Sequence, residues 1–159
     1  MEQLMYGMTG QERREAAATE SVRAGTAYDM GSEEIALARR FVGEFLDVAR
    51  SRHGLDVSAR AVEIAQLVVS ELATNVCKYA PGPCLLDLET DGSTLDIVMW
   101  DSGPVLPAAS PADAARIGGH GLELVLMVCQ SFAVHREPVG KRIRVRIALD
   151  DDPAGHTVW

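Results

Sequence analysis

The spacing of apolar residues changes after residue 82, and this change constrains the fold more than any other feature of the sequence. Before it, apolar residues recur every three or four positions from Ser32 to Gly54 and again from Ser58 to Pro81, which predicts two amphipathic helices. Ser32, followed by two acids, is the predicted cap of the first helix. After residue 82, apolar and polar residues alternate, which predicts strands with one buried face. The two helical stripes consist of Ile35, Ala38, Val42, Phe45, Leu46 and Ala49, and of Val62, Ala65, Val69, Leu72 and Val76.

Four strands and a third helix are predicted in the second half of the chain. Asp91-Gly92 forms a hairpin turn between two strands, a long loop runs from Gly103 to Arg116, and a third strand at 132–137 leads to a second turn at 138–140. We therefore predict an α+β fold, a two-layer sandwich whose mixed, mostly antiparallel sheet carries helices on one face. The buried positions are Leu86, Leu88, Leu95, Ile97, Met99, Ile143, Val145 and Ile147 on strands, and Leu122, Val125, Leu126 and Cys129 on the third helix.

The composition is typical of one globular domain that does not bind nucleic acid. Of the 159 residues, we assign 25–150 to this domain, 1–24 to a flexible arm and 151–159 to a tail, because apolar periodicity is weak up to about residue 30. The net charge of −8 opposes binding to phosphate backbones. No apolar run approaches the ~18 residues of a membrane span. Three cysteines without Cys-x-x-Cys spacing encode neither a disulfide framework nor a zinc site, so we expect a cytoplasmic protein.

Two polar residues interrupt an apolar stripe of the second predicted helix. Glu71 and Asn75 lie one turn apart, in line with Val68 and Tyr79. A carboxylate and an amide on one helix face can converge on a metal ion or on a reacting hydroxyl. The same spacing also fits an ordinary hydrogen-bonded pair on a helix surface.

A strand-end aspartate and a glycine cluster are the other candidate site elements. Asp101 has the parity of the buried strand positions and should point towards the helices, although it could instead cap the turn that follows it. Gly118, Gly119 and Gly121 open the third helix, whose free amides and positive dipole end suit a phosphate. Glycines before a helix also occur in simple loops.

Other catalytic templates are missing from the sequence. It contains no Walker A loop, no Gly-x-Ser-x-Gly elbow, no protein-kinase signature set and no His-Glu-x-x-His motif. The four histidines lack the spacing of metal ligands. The basic residues of the last strand are interpreted as a solvated face, or alternatively as a docking surface for an acidic partner. They are Lys141, Arg142, Arg144 and Arg146.

Taken in order, four segments resemble the motifs of GHKL ATPases, and most of all those of the small bacterial anti-sigma-factor serine kinases of the RsbW type. The segments are ELATNVCKYAPGP at 71–83, VMWDSGPVLP at 98–107, GGHGLELV at 118–125 and GKRIRVRIAL at 140–149. The resemblance covers roughly residues 25–149. It implies the Bergerat, or histidine-kinase-like ATPase, fold with ATP and Mg²⁺ as cofactors, and a homodimer.

The resemblance also implies a role for individual residues. Glu71 matches the general base that acts on the acceptor hydroxyl, and Asn75 matches the Mg²⁺ ligand. Asp101 matches the acceptor for the adenine amino group, with Gly103 leaving room for the base. The segment 106–120 matches the ATP lid. Further positions that match nucleotide-binding motifs are Lys78, Tyr79, Gly119, His120, Gly121 and Leu122.

Two residues depart from the family pattern. Tyr79 stands where His is frequent, which should alter contacts to the phosphates or the lid. Lys141 stands where Thr or Ser is common, so we expect a weaker adenine side of the pocket. The implied function is a protein serine/threonine kinase that phosphorylates a STAS-type anti-anti-sigma protein and sequesters a sigma factor, without direct contact to nucleic acid or membrane. One alternative is a nucleotide-dependent protein-binding module without kinase activity. The other, a sensor histidine kinase, is disfavoured because no phosphoacceptor hairpin precedes the first helix.

Overall fold

The computed structural model describes residues 21–103 and 119–150, with the side chains of residues 119 and 120 excepted. It confirms the α+β class, the three predicted helices and the four predicted strands, and it adds one strand before the first helix. In chain order the elements are β1 (Val22–Met30), α1 (Ser32–His53), α2 (Ala59–Tyr79), β2 (Gly82–Thr90), β3 (Thr94–Asp101), α3 (Gly119–Val128), β4 (Ser131–Arg136) and β5 (Lys141–Ala148).

The strands form one sheet in the order β1-β2-β3-β5-β4. Every strand pairing among the described residues is antiparallel, which corrects the mixed sheet of the prediction. The register places Leu86 opposite Met99 and Ile97 opposite Val145, so the buried rows of three strands meet beneath the helices. The core lies between this face and the apolar stripes of α1 and α2.

The strand β1 is not predicted from the sequence, and it crosses the boundary placed between the flexible arm, 1–24, and the domain that begins at residue 25. It pairs with β2 along its whole length, from Val22 opposite Thr90 to Met30 opposite Gly82. Its inward positions include the small Ala24 and are mostly half-buried, because β1 is an edge strand. A weak apolar alternation of this kind is difficult to detect in a single sequence.

The helix ends follow the sequence signals with one correction. Ser58 caps α2 by accepting a hydrogen bond from the Ala61 N–H at 2.9 Å, and Gly54 ends α1 in the left-handed region at φ 67°. The cap of α1 is Gly31, whereas Ser32 is already the first helical residue and makes no capping bond. None of the helices within the described ranges is both long and apolar enough to cross a membrane.

The third helix contributes a narrower buried stripe than predicted. Leu122 and Val125 are buried, as expected. Leu126 is 46% exposed and Cys129 follows the end of the helix, so neither belongs to a fully buried face. This occurs because α3 is only ten residues long and packs on α2 along a stripe centred on Leu122 and Val125.

Candidate functional site

One part of the candidate site lies where α2 contacts the beginning of α3. Leu72 and Val76 of α2 face the sheet, which leaves Glu71 and Asn75 half-buried on the flank of the helix. The backbone of Gly121 lies against the Glu71 side chain, since a Cβ at this glycine would clash with Oε2 of Glu71. The structure thus brings a carboxylate against a glycine-opened helix start, with the Asn75 amide one turn further along α2. We call Glu71, Asn75 and Gly121 the helix end of the site.

The helix end has the chemical features of a phosphate site with a base beside it. The first N–H groups of a helix have no partner within the helix and carry partial positive charge, which suits an anion. Gly121 lets another group approach this backbone closely because it has no side chain. In the structure that group is the Glu71 carboxylate, which can accept a proton.

A second part of the site lies at the end of β3 and is sealed from solvent. The side chains of Asp101 and Lys141 are 0% and 1% exposed, and the Lys141 Nζ lies 2.8 Å from Oδ2 and 3.0 Å from Oδ1 of Asp101. Oδ1 also accepts a hydrogen bond of 2.9 Å from the Gly103 N–H. Asp101 therefore points inward and also caps the turn, so both sequence interpretations hold at once. We call Asp101, Gly103 and Lys141 the strand end.

The burial of Lys141 corrects its assignment to a solvated strand face. Lys141 lies directly opposite Asp101 in the β3–β5 register and has the parity of the buried Ile143 and Val145. Gly140, at φ 81°, precedes it, and a Cβ there would clash with the carbonyl oxygen of Asp101. The hairpin before β5 thus needs this glycine in order to approach the strand end.

A buried thiol flanks the strand end from the opposite side. Cys84 lies opposite Asp101 in the β2–β3 register and is 4% exposed. Burial raises the pKa of the Cys84 thiol to about 11, and the negative charge of Asp101 adds to the rise. At neutral pH the thiol is uncharged and adds no second negative charge beside Asp101. Among the groups described here, the Lys141 ammonium is the cation that balances Asp101.

The last turn of α2 joins the two ends of the site. Gly103 is buried against Ala80, the C-cap residue of α2, and a Cβ at Gly103 would clash with the Ala80 methyl group. Lys78 and Tyr79, in the same turn, are exposed, and 41% of the Tyr79 surface is accessible. A stretch of α2 therefore connects Glu71 and Asn75 to the end of β3.

The structure describes only some of the other residues predicted to bind the nucleotide. Gly119 and His120 open α3, but their side chains lie outside the described residues, whereas Leu122 is buried. The predicted loop and most of the predicted ATP lid, at 104–118, also lie outside them. Within residues 21–103 and 119–150, no group of three or more His, Cys, Asp or Glu could hold a metal ion.

The arginines of β5 occupy the opposite face of the sheet, as predicted. Arg144 and Arg146 both donate hydrogen bonds to Asp96, and Arg142 lies over the Trp100 ring at 5.1 Å from its centroid. Burial raises the pKa of Asp96, but the hydrogen bonds from the two arginines outweigh it and hold the pKa below its usual value. Because Arg144 and Arg146 already pair with Asp96, less positive charge is left on this face for an acidic partner protein. A cavity of about 440 Å³ on this face is lined in part by Arg142 and Arg144, and by none of the residues predicted to bind the nucleotide.

Comparison with known proteins identifies the family. The model of the histidine kinase-like ATPase domain matches residues 32–147, which is well over half of the chain. The chain belongs to this family. The ATPase domain, an ATP-binding fold, therefore spans α1 to β5, and β1 extends its sheet before the matched residues. Among solved structures, the histidine kinase domain from Erythrobacter litoralis EL346 blue-light activated histidine kinase is 16% identical, with a TM-score of 0.43 over 74% of this chain and 69% of that chain. No curated protein sequence matches the chain.

Proposed function

We propose that this ATPase domain is a protein serine/threonine kinase of a bacterial partner-switching system, which phosphorylates a STAS-type anti-anti-sigma protein and sequesters a sigma factor. The observation that supports a kinase best is the contact of the Glu71 carboxylate with the Gly121 backbone. It puts a proton acceptor beside the helix start that suits the terminal phosphates of ATP. The identity of the partner proteins rests on the resemblance of the four sequence segments to RsbW-type kinases.

The residues of the helix end are compatible with Mg²⁺ and ATP. Mg²⁺ is usually held by one or two protein oxygens together with phosphate oxygens and water, rather than by a full cage of protein ligands. Asn75, half-buried one turn after Glu71, would supply one such oxygen. The bound ion would neutralise charge on the phosphates.

In the proposed reaction, Glu71 receives the proton of the acceptor hydroxyl. The hydroxyl oxygen forms a bond to the γ-phosphorus, the bond between this phosphorus and the β–γ bridging oxygen breaks, and ADP leaves with the electron pair. The first amides of α3 offset negative charge on the transferred group. Because such transition states are loose, the chain contributes mainly by positioning the hydroxyl and by holding charge in place.

Replacement of the base tests this assignment. We expect Glu71→Gln to retain ATP binding and to lower transfer of labelled phosphate by about 100-fold, the usual scale of general-base catalysis. The measurement is transfer from γ-labelled ATP to each STAS-domain protein encoded in the same genome. Glu63→Gln is the matched control, because Glu63 lies exposed on the same helix two turns earlier.

Unchanged transfer in Glu71→Gln would exclude Glu71 as the base. A second candidate function is a nucleotide-dependent binding module without transfer. The ion pair that engages Asp101 would weaken the hold on adenine, and a module that needs ATP only to change conformation tolerates weak binding better than a kinase does. This module would bind ATP and change its partner affinity, but it would label no STAS-domain protein over hours. The same assay with the parent chain therefore separates the two candidates.

A further inference from the structure

We propose that Lys141 sets the base selectivity of the nucleotide site, because it neutralises Asp101 and leaves the site with little preference between 6-amino and 6-oxo purines. This inference rests on the proposed nucleotide site and adds a property of its strand end. It concerns a residue that departs from the family pattern and that lies buried against the one carboxylate assigned to the base.

The hydrogen-bonding capacity of Asp101 is largely used within the protein. Oδ1 accepts from both the Lys141 ammonium and the Gly103 N–H. Oδ2 lies 2.8 Å from the Lys141 Nζ but accepts no hydrogen bond from any described residue. Oδ2 is therefore a buried acceptor whose hydrogen-bonding capacity no described residue uses, and it is already in contact with a cation.

The position of Lys141 is fixed by backbone geometry rather than by its side chain alone. Its Cα is paired with that of Asp101 across β3 and β5, and Gly140 brings the hairpin against the Asp101 carbonyl. The ammonium lies in a region without solvent exposure, where a charge without a partner is costly. We therefore expect Lys141 to stay on Asp101 when a nucleotide binds.

The charge balance at the strand end determines which purine edge it can accept. A lone carboxylate accepts a hydrogen bond from the amino group of adenine and repels the keto oxygen that guanine has in the same place. The pair of Asp101 and Lys141 offers an acceptor and a charged donor together, so either edge finds a partner. A hydrogen bond from a neutral amino group also contributes less free energy of binding when the charge of the carboxylate is already balanced.

The experiment is calorimetric titration of the full chain with Mg²⁺-ATP and Mg²⁺-GTP, before and after Lys141→Thr. In the parent chain we expect the two dissociation constants to agree within about fivefold, and in the variant we expect the preference for ATP to rise by about 10-fold or more, the scale of one hydrogen bond to a charged group. Arg136→Thr is the matched control, because Arg136 is exposed and paired with Lys141 in the register of β4 and β5. It removes the same charge without touching the ion pair and should leave the ratio unchanged.

Two further variants keep the test decisive if Lys141→Thr folds poorly. Lys141→Gln retains most of the side-chain length and should also raise the preference for ATP. The double variant Asp101→Asn/Lys141→Met removes both charges and should keep the weak preference of the parent chain. A parent chain that already prefers ATP by more than about 10-fold, or an unchanged ratio in both Lys141 variants, would overturn the inference. If neither nucleotide binds the parent chain or any variant, the proposed function fails as well. ATP binding gained only in Lys141→Thr would overturn the inference alone, because Lys141 would then block the site instead of setting its selectivity.

Discussion

The two ends of the candidate site use carboxylates in different surroundings. At the helix end, Glu71 lies half-buried on the flank of α2 and contacts the backbone of a helix start. At the strand end, Asp101 is closed off from solvent and bonded to an ammonium and to a backbone N–H. The first carboxylate is partly exposed to solvent, whereas the second is buried and held by its neighbours. This difference shows that a residue can match a binding motif and still be engaged within its own protein.

The largest expected effect comes from making the same chemical change at both ends. Asp101→Asn leaves the Lys141 ammonium buried without a negative partner, and we expect it to lower the free energy of unfolding by about 3 to 5 kcal/mol. Glu71→Gln changes a half-buried group, so we expect a change in the free energy of unfolding within about 1 kcal/mol. Urea denaturation of the two variants measures the difference.

The expected loss of stability in Asp101→Asn also affects measurements of its nucleotide binding. A loss of ATP affinity in Asp101→Asn would combine a lost contact to the base with a weakened fold. Binding by this variant is therefore interpretable only at temperatures where circular dichroism shows it to be folded. Equal losses in the free energy of unfolding for Asp101→Asn and Glu71→Gln would show that Asp101 is no better shielded from solvent than Glu71.

A smaller effect is expected from adding a methyl group at each end. In Gly103→Ala the new Cβ meets the Ala80 methyl group and lies 3.2 Å from the Ala80 Cα, neither of which can turn away. We expect a loss of about 2 kcal/mol in the free energy of unfolding, as for other overpacked sites. In Gly121→Ala the new Cβ meets the far end of the Glu71 side chain, which can rotate, so stability should change less while phosphate transfer falls.

Thermal unfolding and the phosphate-transfer assay together check this pair of variants. The result that contradicts it is a Gly121→Ala protein that is less stable than Gly103→Ala, or one that transfers phosphate at the parent rate. In the first case Glu71 would be held as firmly as Asp101. In the second, the contact between Glu71 and the helix start would have no part in the reaction.

The sequence predicted the elements better than the contacts between them. Strand alternation predicted that Asp101 points inward, and the same parity applied to Lys141 would have placed it beside Ile143 in the core. Grouping Lys141 with the neighbouring arginines by charge puts it on the solvated face, which is wrong. Residue type is a weaker guide than parity where a buried partner can balance the charge.

Other features could not be predicted from local patterns. The contact of Glu71 with Gly121 joins positions that are fifty residues apart, and no periodicity encodes it; only the family resemblance associated the two. The strand β1 gains its stability from pairing with β2 rather than from its own weak apolar alternation. Its pairing partner becomes evident only once the sheet is assembled.

The smallest expected effect is a dependence of stability on alkaline pH that arises at the strand end. The pKa of the Cys84 thiol is raised to about 11 in the folded chain, so between the ordinary thiol value of 9.0 and about 11 the unfolded chain loses this proton while the folded chain keeps it. Stability linked to this group is therefore fully present below pH 9.0 and declines as the pH rises, by roughly 1 kcal/mol at pH 10. Urea denaturation at pH 8 and pH 10 should show a steeper decline in the parent chain than in Cys84→Ala. Identical declines in the two proteins would mean that the thiol is less shielded from solvent than its position between Tyr28 and Asp101 indicates. The strand end would then admit water as the helix end does.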